Sequence, residues 1–394
     1  MSFKKLYRLC ICLGILINIQ QVHARGFSIE NLPVSTMNPS IPINETHGLM
    51  EALGGFDPNN SEWFKAHQLR IGGAISAGVT YNPDDPDDGY NFPVIFNDRS
   101  NEFQLNRFRL FIQRDINPDS NHWDIGGRAD FVIGADARYT TALGLDDRLA
   151  NSNRFNRVAF PQFYAQIFAP YGNGITAQIG HFFTVLGSAS PFNSVSYVAY
   201  TEPSVHTGIL LNTPLNSEIN ISAGAVLGSL NTLDNFAYAW NNWNFLGNIT
   251  WTKKSTTVNF SLLSGDDTTR PHYFFSADLY PDDIYSNRLS RFQAHRTQYS
   301  LTINYDFAEK WHYKIQHDYG YQAKSIISNS SAQWYGIEQD LLYDVSDELT
   351  VGLRGDWFRD QNGLKVMIDG VPATYYSLTA GVFWKPLSWV TIRP

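Results

Sequence analysis

The chain is a succession of short stretches in which apolar and polar residues alternate. One of them, Leu349 to Phe358, reads LTVGLRGDWF. Leu349, Val351, Leu353 and Trp357 share one parity, and Thr350, Gly352, Arg354 and Asp356 share the other. Successive strand side chains point to opposite faces, so the stretch predicts a strand with one apolar and one polar face. The same alternation predicts strands near 68–81, 103–115, 122–135, 161–169, 174–182, 206–213 and 217–227. Hairpins follow in the second half: WNFLGNITW with TTVNFSLLS, YSLTINYDF with WHYKIQHDYG, QWYGIEQDLLY with LTVGLRGDWF, and YYSLTAGVFW with WVTIRP.

Segments of about 10 residues suit strands that cross an outer membrane at a tilt. The connections near 116–121, 170–173, 213–217, 252–255, 308–310, 344–348 and 385–388 are short. Those near 82–102, 136–160, 183–205, 228–242, 265–295, 321–331 and 359–374 are long. Short turns at one end and long loops at the other are the rule for a transmembrane barrel. The faces agree: Leu69, Ile71, Ile75, Val79 and Tyr81 oppose Arg70, Gly72, Ala74, Ser76, Gly78 and Thr80. Trp251, Trp311, Tyr343, Trp384 and Trp389 flank short turns, and Trp243 and Trp357 lie by long loops, as two interfacial girdles require.

The expectation is an all-β fold, a transmembrane antiparallel up-and-down β-barrel. About fourteen strands are complete and WVTIRP begins a fifteenth, where single-chain bacterial barrels hold an even number. About 16 strands are therefore expected, with the last strand or strands missing from this chain.

Residues 1–24 change the picture. Lys4, Lys5 and Arg8 precede an apolar core from Leu9 to Ile19, and Val22-His23-Ala24 fits a cleavage site. This predicts a cleaved secretory signal peptide. Both cysteines, Cys10 and Cys12, fall inside it, so the remainder has no thiol for a disulfide, metal or nucleophile. Residues 25–66 carry Pro33, Pro39, Pro42 and Pro58 and predict an irregular periplasmic or lumenal lead-in; 67–394 is the barrel. The net charge is −8, or −11 once Lys4, Lys5 and Arg8 are set aside, which argues against nucleic acid as a partner.

An aqueous lumen explains charges in mid-strand. In a dry core each would cost several kcal/mol unless well paired. The predicted pore-lining residues are Arg70, Arg107, Arg109, Arg128, Asp130, Asp306, Lys314, Glu338, Asp340, Arg354 and Asp356. The bases among them can form a cationic wall and the acids an opposing wall, a transverse field that biases ion passage. The same parity buries Arg354-Gly355-Asp356 in the barrel wall, out of reach of an adhesion receptor. The aromatic and Ser-rich loop after the fifth strand is positioned to fold inward and narrow the bore, with Glu202 and His206 as its titratable candidates.

Other chemistry is sparse. Asp84, Asp85, Asp87 and Asp88 are weak candidates for Ca²⁺ or Mg²⁺ bridging lipopolysaccharide phosphates, but no spacing matches a calcium loop. His312 and His317 are five apart and fall on opposite faces. No HExxH or G-x-S-x-G occurs, and His181 and Ser188 have no spacing that singles them out for hydrolysis. No catalytic residue and no cofactor is expected.

Asp136-Ala137, Tyr164-Ala165-Gln166, Gly180 to Thr184, Glu202-Pro203 and His206-Thr207-Gly208 carry a resemblance to the OmpL-like β-barrel porin family of Gram-negative bacteria. The resemblance runs from about Gln68 to the end of the chain. It implies an outer-membrane porin, with passive diffusion of small hydrophilic solutes or ions and no catalytic residues. Outer-membrane lipid, lipopolysaccharide and small solutes are the expected partners, and a homotrimer stays open as an assembly. The alternatives are a closed or plugged barrel serving as a surface receptor or adhesin through its acidic loops, and an outer-membrane lipid hydrolase.

Overall fold

A computed structural model describes residues 16–19, 54–147, 149, 155–230, 233–234, 236, 242–269, 292–325 and 330–394. Its strands, in chain order, are β1 (Leu16–Ile19), β2 (Leu69–Val79), β3 (Phe103–Arg114), β4 (Asp124–Gly134), β5 (Arg157–Ala159), β6 (Phe163–Ala169), β7 (Ile175–Phe183), β8 (Val205–Pro214) and β9 (Ile219–Leu227). They continue with β10 (Ser229–Leu230), β11 (Leu233–Asp234), β12 (Trp243–Lys253), β13 (Thr256–Thr269), β14 (Phe292–Ala308), β15 (Trp311–Gln322), β16 (Ala332–Ser346), β17 (Leu349–Asp360), β18 (Ala373–Leu387) and β19 (Val390–Arg393).

Every long strand pairs antiparallel with its neighbour in sequence, and β9 continues the sheet into β12. The fold is the expected all-β, up-and-down barrel class. The short β5 pairs only with the end of β4, and β10 with β11 forms a separate ribbon. Fourteen long strands and the four-residue β19 match the sequence pattern. The place beside β19 is taken by β1, from the segment read as a signal peptide: it pairs antiparallel with Val390–Arg393 on one side and Ile75–Ala77 on the other.

Below that pairing, the lead-in covers the edge of β2. Asn59 both receives the Ile71 N–H at 2.9 Å and donates to the Ile71 carbonyl at 3.0 Å. An unpaired strand edge is thereby satisfied by one side-chain amide. Asn59 lies in the middle of a 3-10 turn (Pro58–Asn60) capped by Asp57, and the short helix α1 (Glu62–Ala66), capped by Ser61, follows it.

The strands extend further than the sequence pattern suggested at one hairpin. β13 runs to Thr269 and β14 starts at Phe292, so Asp266 and Asp267 lie in a strand rather than in the loop. Asp282 and Asp283 lie outside the described residues.

The burial pattern is inside out for a water-soluble protein. Ile125 is 64% exposed, Leu353 53% and Leu378 75%, whereas Arg354 is 1% exposed and Asp130 1%. A contiguous apolar outer surface of this extent suits contact with lipid hydrocarbon. One register shift matters: Ser76 faces Arg107 but Ala77 faces Leu105, a bulge that leaves Asn106 unpaired in β3. A bulge switches parity, so Gln104 and Asn106 above it and Arg109 below it are all buried.

Candidate functional site: the inner wall and the loop folded against it

The inward positions of β2 to β4 carry a ladder of ions. Arg70 reaches Asp115 at 2.6 Å near the short-turn end. Arg109 and Arg128 both bind Asp130, and Arg128 also donates to Gln113 at 2.6 Å. Arg107 lies 3.5 Å from Asp136, and Arg138 binds Asp98 at 2.8 Å beyond it. Burial pushes the Asp136 carboxyl up to about 6, against the pull of Arg107 and Arg138.

A second set lies on β14 to β17. Lys314 reaches Glu338 at 2.6 Å and Asp340 at 2.9 Å. Asp306 meets His312 at 2.6 Å, and His312 also meets Asp344 at 3.0 Å. Arg354 lies 3.6 Å from Asp356. Ten of the eleven sequence candidates therefore take part in ion pairs, and the eleventh, Asp306, is hydrogen-bonded to His312. They do not form a cationic wall facing an acidic one, as the sequence reading expected. Each base sits beside an acid of the same strand, of a neighbouring strand or of the connection just beyond one. The physical reason is burial: an ion removed from water needs a counter-ion at contact distance, not across a bore.

Between β7 and β8 the chain makes the loop 183–205, and it folds inward onto β15–β18. Arg354 holds it. Its Nη1 donates to the Ser194 carbonyl at 2.5 Å and to Ser190 Oγ at 3.3 Å; its Nη2 donates to Ser194 Oγ at 3.1 Å and to Thr379 at 3.2 Å. The guanidinium also lies over the Phe192 ring, which packs on Phe383 at 5.3 Å. Elsewhere Ser188 donates to Gln316 at 2.9 Å, Thr201 to Asp318 at 2.8 Å, and the Tyr197 N–H to Asp356 at 3.3 Å. Gln298 donates to the Thr201 carbonyl at 3.1 Å.

Apolar anchors complete the seat. Tyr200 packs with Trp334, Phe358, Leu364 and Val366, the last two from the loop after β17. Phe192 packs with Leu342 and Phe383. Gly352 and Gly381 make this possible, since a Cβ at either would lie within 3.0 Å of the Phe192 ring.

The two loop candidates part company. Glu202 Oε1 accepts from Gln316 Nε2 at 2.5 Å, so this acid is turned to the wall. His206 is the second residue of β8, wholly buried, with Nε2 at 2.9 Å from Thr184 Oγ1. The sequence reading missed Asp318, Gln316, Ser190 and Ser194. Asp318 and Gln316 had a signal, the inward parity of β15; the two serines had none, because their partners are distant in sequence.

The remaining candidates do not assemble into sites. Asp85, Asp87 and Asp88 border a shallow cavity of about 350 Å³ with Arg99 and Glu102, but Asp84 does not. Among the described residues no three His, Asp or Glu side chains are arranged to hold a metal ion. Asp85 instead accepts from Asn101, and Asp88 from the Tyr90 N–H. His181 bonds Thr207 at 2.9 Å while Ser188 bonds Gln316, so their hydrogen bonds lead to different partners. His312 is buried and its neighbour of the same strand, His317, stacks on the outward Tyr299, in keeping with opposite faces.

The family model described as "Putative beta-barrel porin-2, OmpL-like" matches residues 68–394. Among solved structures, the chain is similar to OmpT of Vibrio cholerae, with 10% identity, 73% of this chain and 76% of that chain covered, and a TM-score of 0.48. It is similar to the outer membrane channel DcaP of Acinetobacter baumannii, with 9% identity, 81% and 87% covered, and a TM-score of 0.47. It is similar also to OmpF of Salmonella typhi in complex with daunomycin, with 13% identity, 80% and 85% covered, and a TM-score of 0.48. No curated protein matches the sequence.

Proposed function

The chain belongs to the OmpL-like β-barrel porin-2 family, and from that premise we propose that it is an outer-membrane pore for passive diffusion of small hydrophilic solutes or ions. The single observation that carries this reading is the seated loop. The span 183–205, a 21-residue connection (184–204) with its two flanking strand residues, leaves the sheet at the long-loop end and binds inward side chains of β14 to β18 instead of projecting outward. A loop held inside a barrel whose inner positions are charged and polar sets the width of an aqueous path.

In this mechanism the barrel supplies the path and does no covalent chemistry. The outer apolar belt contacts lipid, and the inner ion ladder is packed behind the surface that faces the aqueous path. Arg354 is the main fastening of the loop. Arg107 is the inward base of β3 left most open, with 34% of its side chain exposed against 7% for Arg109. It is placed to act on a passing anion. The signal peptide delivers the chain across the inner membrane, lipopolysaccharide meets the long acidic loops, and a homotrimer is the proposed assembly.

Proteoliposome swelling tests the reading. Vesicles carrying the protein are diluted into isotonic solutions of neutral sugars of rising size. Small sugars are expected to enter quickly and larger ones slowly. Vesicles that hold inserted protein yet stay as tight as empty ones would refute the pore and favour the receptor reading.

A further inference from the structure

The layer between the seated loop and the wall contains more acid than base. Glu202 comes from the loop, Asp318 from β15, Glu338 and Asp340 from β16, and Asp356 from β17. The bases paired with them are Lys314 of β15 and Arg354 of β17, and Arg296 is buried one inward position beyond Gln298 on β14. His206 approaches from β8 and is engaged by Thr184. Five carboxyl groups thus meet three permanent cations, and Lys314 and Arg354 are already committed to Glu338, Asp340, Asp356 and the Ser194 carbonyl.

The excess falls on Glu202 and Asp318. Both accept from the same nitrogen, Gln316 Nε2, at 2.5 Å and 3.1 Å. Asp318 is 2% exposed and takes Thr201 Oγ1 on its other oxygen. The Glu202 carboxyl also occupies the space beside Gly187, where an added Cβ would lie 1.8 Å from Oε1. Two carboxylates sharing one amide, the half-buried Glu202 and the buried Asp318, cannot both stay ionised without strong repulsion; one proton between them removes it.

We infer that Glu202 is a proton-operated latch, in which a proton shared with Asp318 keeps the loop 183–205 seated on β15–β17 and its loss lets the loop leave the wall and widens the bore. The inference rests on the pore reading. The direction follows from linkage. Burial first, and the charge of Asp318 second, hold the Glu202 carboxyl well above its usual value of 4.5 when the loop is seated. The seated state therefore keeps a proton that the released state gives up. Seating is complete below that usual value and is lost as the pH rises through the raised one. Within the window the ratio of seated to released loops falls by up to about tenfold per pH unit.

The test is single-channel recording of the full chain in planar bilayers from about pH 5 to about pH 9. The wild type is expected to show small steps at low pH and larger ones at high pH. Glu202→Gln cannot ionise yet can still donate to Asp318, so it should keep the small step throughout. Asp318→Asn gives Glu202 a donor in place of an acid and should flatten the profile or move it to lower pH. A wild-type conductance that is flat in pH overturns the latch and leaves the pore standing. So does a Glu202→Gln profile that rises like the wild type. A wild type silent at every pH overturns the pore reading itself, and the latch with it.

Discussion

Replacing Arg354 by Leu should release the inward loop without dismantling the barrel. The side chain makes four hydrogen bonds, three of them to Ser190 and Ser194 in the loop and one to Thr379. A hydrogen bond to a charged group contributes about 1.5–3 kcal/mol, and such contributions do not simply add. Removing one member of a buried ion pair costs about 3–5 kcal/mol, here by leaving Asp356 with Ser377 and the Tyr197 N–H but no cation. A loss of about 4 kcal/mol in seating shifts the seated-to-released ratio by about a thousandfold. The barrel strands keep their ladders, so folding measured by gel mobility before and after heating should be near normal. Single-channel conductance should rise and become noisy. Arg354→Lys keeps the charge but not the two-pronged geometry and should fall between. Steps of wild-type size and quietness in Arg354→Leu would refute the reasoning that this residue fastens the loop.

Leu353→Arg places a charge on the lipid face and should impair assembly by about 2–4 kcal/mol near mid-membrane, whereas the cost of Arg354→Leu falls on loop seating and leaves assembly near normal; equal membrane yield of the two would overturn the face assignment. Reversing Arg107 and Arg109 to Glu should move the reversal potential in a salt gradient toward cations, and an unchanged potential would count against their lining the path. Gly187→Ala must fit a methyl where Glu202 now stands, at a φ of +71, so it should raise conductance at low pH much as loss of the latch does; a wild-type record would argue that Glu202 is not enclosed there. Lys314→Met strips Glu338 and Asp340 of their shared cation and should lower the thermal midpoint, an effect absent if water rather than Lys314 compensates them.

Much of this architecture can be read from alternation alone, because a strand facing lipid on one side and water on the other writes its period directly into the residues. LTVGLRGDWF shows it: Leu353 faces out and Arg354 in, as its parity requires. The long connection 183–205 also stands out, by length and by its aromatics. Four features were hidden. The bulge at Asn106 shifts parity by one residue, and nothing in NRFRL marks it. The pairing of acids with bases depends on strand register, since Lys314 faces Asp340 across the β15–β16 ladder. The seating of Ser194 and Glu202 depends on contacts more than a hundred residues away, with Arg354 and Gln316. The strand formed by Leu16–Ile19 was hidden too, because a run of apolar residues after Lys4, Lys5 and Arg8 reads as a leader whatever backbone it adopts.

The central claim is that this barrel conducts through a bore narrowed by the loop 183–205. Single-channel recording in a planar bilayer under a salt gradient, on protein extracted from its native outer membrane, tests it most directly. Steady, discrete steps with a defined reversal potential are predicted. Protein that inserts, as shown by its protection from protease, and yet passes no current at any voltage would contradict the account.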